Sequence, residues 1–167
     1  DPRQVKNNEI QTLVANGKTI VAISCSIHAT EVVAAQMSMT LAYEMANAKD
    51  AETLEILNNT ILLLIPSSNP DGVDIVANWY KKTLGTKSEG SSPPEVYHPY
   101  AGHDNNRDWF MLNLKESQAI TKLFWLEWFP QFVYDVHQQG QDGSRFTLPP
   151  FFDPPNPNIP AGLLREV

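Results

Sequence analysis

The chain has 167 residues, enough for one domain with a sizeable core. Its apolar fraction of 42% argues against disorder, and a formal charge of −7 disfavours a nucleic-acid backbone as partner, because the few basic residues form no stripe. No apolar run approaches the length of a membrane span.

Ile10, Leu13 and Val14 share one face of a short helix over residues 8–16, and Gly17 supplies its stop. Residues 19–25 follow as a nearly all-apolar strand, the kind covered on both faces in parallel sheets. The single cysteine, Cys25, can form no intrachain disulfide and reads as buried rather than reactive. The chain then turns from strand to helix through Ser26-Ile27-His28-Ala29-Thr30-Glu31. His28 sits where the strand ends and Glu31 where the helix begins. Across such a corner an imidazole and a carboxylate can converge on one point, and Zn²⁺ accepts both donors. Taken alone, the same pair also describes a buried histidine beside a helix-capping glutamate. The helix over 30–48 carries Val33, Met37, Leu41 and Met45 at helical spacing, and its methionines read as core packing.

Residues 60–65 form a second buried strand. Asn69-Pro70-Asp71-Gly72 beyond it reads as a type I turn, with Pro second and Gly fourth. A short helix over 73–83 carries Trp79 and Tyr80. Residues 84–107 form a long irregular stretch, and loops of that length in compact domains are usually functional or disordered. Its histidines, His98 and His103, have no partner at short ligand spacing and read as ordinary loop residues. A helix over 113–129 is closed by Pro130, and residues 131–137 form a third strand ending at His137. Six of the thirteen prolines follow Leu148, so residues 138–167 are expected to be extended, with a short strand near 145–148.

Strands alternating with helices predict an α/β domain whose sheet is mostly parallel or mixed, with helices on both faces. Ligands of such sheets bind outside the carboxyl ends of the strands. His28 and His137 both stand at such ends, so His28, Glu31 and His137 project from one edge. Two histidines and a glutamate leave one position of a zinc ion open, as catalytic sites do. Zinc lowers the pKa of its water from about 15.7 to about 7 and polarises carbonyls, which suits hydrolysis of an amide or ester. Such chemistry also needs a carboxylate base and a cation for the oxyanion. In the loop, Asn106 and Arg107 offer an amide beside a guanidinium, a pair able to hold a carboxylate. A lone arginine there would more commonly pair with Asp104 or Asp108.

Four pieces now stand in order: Ile27-His28-Ala29-Thr30-Glu31, Asn69-Pro70-Asp71-Gly72, Asn106-Arg107 before an aromatic pair, and Asp135-Val136-His137. With these the chain resembles the zinc carboxypeptidase family, the peptidase family M14 of the carboxypeptidase A type. The resemblance covers most of the chain. It implies one Zn²⁺ ion held by His28, Glu31 and His137, with Asn106 and Arg107 binding the terminal carboxylate of a peptide or protein substrate. It implies residues 1–167 to be a single, truncated catalytic domain that hydrolyses the C-terminal peptide bond by metal-activated water.

The chain also departs from the family pattern. Where many relatives carry an oxyanion-stabilising arginine, Lys81 is the nearest match, and it lacks the planar fork. Gln138-Gln139-Gly140 follows His137. After His137 the only glutamate is Glu166, so the family's general base and mobile tyrosine read as absent. Asp1-Pro2 resembles an interior start and Val167 a stop in mid-pattern, so the remaining half of the domain is expected outside this chain, which alone should be inactive. Two alternatives are kept. One is a related zinc amidohydrolase acting on N-acyl amino acids; the other is a non-catalytic module binding zinc or a peptide carboxylate. The compartment is open, with an exported location favoured.

Overall fold

Strand β1 (Thr19–Cys25) lies at the centre of a three-stranded sheet. β2 (Thr60–Ile65) and β3 (Phe132–Val136) flank it, both parallel to it, in the order β2-β1-β3. The computed structural model describes residues 4–95 and 98–139. The chain divides into two compact units, Asp1–His137 and Gln138–Val167, and every element described here belongs to the first. The sheet is therefore parallel throughout the described residues, as the alternation of strands and helices requires.

The helices are α1 (Ile10–Asn16), α2 (Val32–Asn47), α3 (Ala51–Asn59), α4 (Pro70–Thr83) and α5 (Lys115–Lys122). A 3₁₀ turn occupies Asn105–Arg107, and a π-helical turn, Leu123–Trp128, extends α5. The core sits where this last segment meets the sheet: Ala22 of β1 packs with Ile120 and Phe124, backed by Leu63, Ile65 and Leu123. Burying a side chain such as Phe124 stabilises by about 1.5–3 kcal/mol. Among the described residues no helix is long and apolar enough to cross a membrane.

Several expectations need correction. Helix α3 has no counterpart in the sequence reading. None of its residues is fully buried, Thr53 and Leu57 being half-buried, and its clearest mark is its cap, where Asp50 Oδ1 accepts from the Thr53 N–H at 2.8 Å. Asn69-Pro70-Asp71-Gly72 is the start of α4, not a free-standing turn. Asn69 Oδ1 accepts from the Gly72 N–H at 3.0 Å and Pro70 occupies the first helical turn, so the residues that favour a type I turn serve equally as an N-cap. The helix expected over 113–129 is α-helical only to Lys122, then widens to the π turn. It ends at Phe129, whose φ of 50° is left-handed, just before Pro130. β2 is half-buried rather than buried, because it is an edge strand. The strand expected near 145–148 and the prolines after Leu148 lie outside the described residues.

Candidate metal centre

The site grows from the carboxyl end of β1. Ala22 and Cys25 are fully buried, so the strand is held until it reaches the edge of the sheet. There Ser26 turns the chain with a left-handed φ of 56°. The next carbonyl, that of Ile27, accepts from two remote amides, Asn69 Nδ2 at 3.2 Å and Asn105 Nδ2 at 2.7 Å. The Glu31 N–H donates to the His28 carbonyl at 3.0 Å, which closes the turn between these two residues. Glu31 stands at the N-cap position of α2, yet its side chain makes no capping bond. The helix-capping alternative for this glutamate is thereby set aside.

Its carboxylate faces two rings instead. His28 Nδ1 lies 2.9 Å from Glu31 Oε1, and His137 Nδ1 lies 3.0 Å from Glu31 Oε2. The ring centroids are 4.9 Å apart, and ligand atoms from all three side chains lie within 4.8 Å of one another. The outward nitrogens each meet another carboxylate. His28 Nε2 is 2.9 Å from Asp104 Oδ1, and His137 Nε2 is 2.9 Å from Asp135 Oδ2. Asp135 is fixed in turn by the Ser24 hydroxyl, which donates to Oδ1 at 2.6 Å, and Asp104 accepts from the Asn106 N–H at 2.8 Å.

These contacts set the charges. Desolvation works to raise the Asp135 pKa, but hydrogen bonds from His137 and Ser24 hold it below the usual carboxylate value. At Asp104 desolvation again works to raise the pKa, but the hydrogen bonds with His28 and the Asn106 N–H and the charges of His28 and Arg107 outweigh it, so this pKa is also lowered. The His137 pKa is raised, chiefly by its bond to Asp135 and further by Glu31, against the opposing effect of burial.

Asn106 reaches this group, with Nδ2 3.4 Å from His137 Nε2, while its Oδ1 accepts from Trp109 Nε1 at 2.9 Å. Arg107 is exposed and donates from a guanidinium nitrogen to the Asn106 carbonyl at 3.0 Å. The acidic neighbours expected to pair with it are turned elsewhere. Asp104 faces His28, and fully buried Asp108 accepts from His103 Nε2 at 2.8 Å and from the Leu114 N–H at 2.9 Å. His103 is thus part of the loop's internal frame, as is buried His98, whose Nδ1 accepts from the Ala101 N–H. Lys81 is in the last turn of α4, exposed, and about 16 Å of helix beyond the Asn69 end. Glu166 lies outside the described residues.

Sequence reasoning considered Asp104 only as a partner for Arg107, and did not single out Ser24. Strand pairing could have found the latter, since Ser24 stands opposite Asp135 in the β1–β3 register. Two imidazoles and a carboxylate, with each outer ring nitrogen anchored on a further carboxylate, fit the donor set and the supporting shell of a zinc site. Residues 3–125 match a family model described as zinc carboxypeptidase. The matched stretch includes His28, Glu31, Asn106 and Arg107 and stops before Asp135 and His137. No curated protein and no solved structure matches the chain.

Proposed function

Because the chain belongs to the zinc carboxypeptidase family, we propose that His28, Glu31 and His137 hold one Zn²⁺ ion and that the complete domain removes C-terminal residues from peptides. The observation that carries this reading is the arrangement of the two rings: both Nδ1 atoms face Glu31 and both Nε2 atoms rest on carboxylates. Zinc bound there would supply Lewis acidity, polarising a peptide carbonyl and acidifying a water near neutral pH.

The chain's own residues do the positioning. As acceptors, Asp104 and Asp135 favour the tautomer with the proton on Nε2, in which the Nδ1 lone pairs are directed inward. Arg107, whose acidic neighbours are engaged by histidines, has its charge available for a carboxylate, and Asn106 adds an amide beside it. Together they suit the free C-terminus of a peptide. The three carboxylates around the centre are all committed: Glu31 to both rings, Asp104 to His28, Asp135 to His137. None is available as a base toward water, and Lys81 stands at the opposite end of α4 from Asn69. Among the described residues the centre therefore offers zinc ligands and a carboxylate-binding pair but no free base, and the 167-residue chain is expected to bind zinc and a peptide carboxylate without turnover. That commitment favours the non-catalytic reading for this chain taken by itself.

The test is an assay of the full-length, zinc-loaded protein on peptides with free C-termini, the same peptides amidated, and N-acyl amino acids. Cleavage confined to free C-termini supports the carboxypeptidase reading. Preference for N-acyl amino acids would replace it with an amidohydrolase.

A further inference from the structure

We propose that Trp109 is a positioning residue for substrate binding: its indole N–H holds the Asn106 side-chain amide with the amino group turned toward His137, where the terminal carboxylate of a peptide can accept from it. The proposal rests on the carboxypeptidase reading above and names the group that orients one of its two carboxylate binders. Asn106 is the middle residue of the 3₁₀ turn Asn105–Arg107. Its backbone is held on both sides. The N–H donates to Asp104 Oδ1 at 2.8 Å, and the carbonyl accepts from the Arg107 guanidinium at 3.0 Å. What remains is which way the side-chain amide turns. Side chains three residues apart eclipse one another on a 3₁₀ turn, which brings Trp109 over Asn106. Trp109 Nε1 lies 2.9 Å from Asn106 Oδ1. An indole N–H only donates, so the amide atom facing it is the oxygen. Trp109 follows Asp108, which is fully buried and tied to His103 and the Leu114 N–H, so the indole is attached at a fixed point of the loop.

With its oxygen engaged, Asn106 turns its amino group the other way, and Nδ2 lies 3.4 Å from His137 Nε2. In the tautomer that Asp135 favours, this ring nitrogen carries a proton and offers no lone pair. The amino group then has no acceptor among the described residues, and a carboxylate placed beside it gains a hydrogen bond. Without the indole the balance reverses. The Nε2 proton of His137 would draw the amide oxygen toward it, and Asn106 would present an acceptor that repels a carboxylate. Burial does not demand the contact, since Trp109 is 38% exposed and its N–H has access to water.

The experiment compares Trp109→Phe, Asn106→Ala and the double variant in the full-length, zinc-loaded protein on peptides with free C-termini. Trp109→Phe keeps a ring and removes the N–H. It should raise KM about threefold to tenfold, the effect of one hydrogen bond, and leave kcat within about twofold, because a terminal carboxylate is held equally before and during the reaction. Added to Asn106→Ala, it should have no further effect, since it acts through that amide. Trp109→Tyr, also without an N–H at that place, should behave alike and serves if the phenylalanine variant does not fold. A fall in kcat, weaker zinc binding or an additive loss in the double variant would mark a merely structural residue and overturn the proposal. An unchanged KM in Trp109→Phe, with KM raised in Asn106→Ala, would overturn it and leave the carboxypeptidase reading intact. If no peptide is cleaved, that reading fails, and equilibrium binding of free and amidated peptides decides. A preference for the free peptide that is equal in wild type and Trp109→Phe would reject the proposal, and one reduced about threefold to tenfold would uphold it.

Discussion

Ser24 and Asp135 face each other in register across β1 and β3, and the Ser24 hydroxyl donates to Asp135 Oδ1 at 2.6 Å. The other oxygen of Asp135 holds His137, so the pairing of two strands fixes the angle of a ring beyond the sheet. Asp135→Asn should weaken zinc binding about 10–100-fold, the usual effect of losing an outer-shell carboxylate. Ser24→Ala should weaken it less, by under about tenfold, because Asp135 itself remains. Competition against a chromophoric chelator measures both. Unchanged affinity in Asp135→Asn would show that the ring is held by something else.

Zinc should stabilise the folded protein by an amount that grows with the logarithm of its free concentration above Kd. At a free concentration one hundred times Kd the gain is about 2.7 kcal/mol. Thermal melts with zinc and with excess chelator should separate, and His28→Ala, Glu31→Ala and His137→Ala should each collapse the separation. A variant that retained the full shift would not be a ligand.

Arg107→Ala in the full-length protein should weaken peptides with a free C-terminus about 10–100-fold, as expected for a hydrogen-bonded charge contact, and hardly affect amidated ones. Arg107→Lys should recover only part of the loss, since a point charge lacks the fork. Equal losses on free and amidated peptides would make Arg107 a structural residue.

Asp108 makes a prediction about acid stability. Desolvation opposes it, but the Leu114 N–H, His103, Ser117 and the Asn113 N–H together lower its pKa below the ordinary carboxylate value. A lowered folded pKa means that the unfolded chain takes up the proton first as pH falls. The stabilisation is complete above the unfolded value of about 3.9 and is lost as pH drops through the lower folded value. Asp108→Asn should cost about 1–3 kcal/mol near neutrality and flatten the acid limb of stability against pH. Urea unfolding between pH 7 and strongly acidic conditions reads both effects. An unaltered acid limb would assign the loss to other carboxylates.

The parts of this molecule legible in its sequence are those where one residue type has one use. The run from Thr19 to Cys25 is apolar because its strand is central, and it pairs on both sides. His28, Glu31 and His137 could be placed together because parallel strands end at one edge. Residues with two uses were harder. Asn69 and Pro70 satisfy a turn and a helix start alike, and only the chain beyond them decides. Helix α3 has no fully buried residue to mark its inner face, only Thr53 and Leu57 half-buried. Asp104 neighbours Arg107 in sequence and meets His28 in space, a contact across 76 residues that local pattern could not display.

The Ile27 carbonyl, shared by the amides of Asn69 and Asn105, acts as a common origin for three distant segments. The 28–31 turn, the start of α4 and the 105–107 turn are each positioned against that one oxygen rather than against one another along the backbone. The connection between α4 and the 3₁₀ turn can then lengthen or shorten at little cost, since loop closure depends only weakly on length. Variation over residues 84–95 would then leave the 28–31 turn and the 105–107 turn where the Ile27 carbonyl holds them.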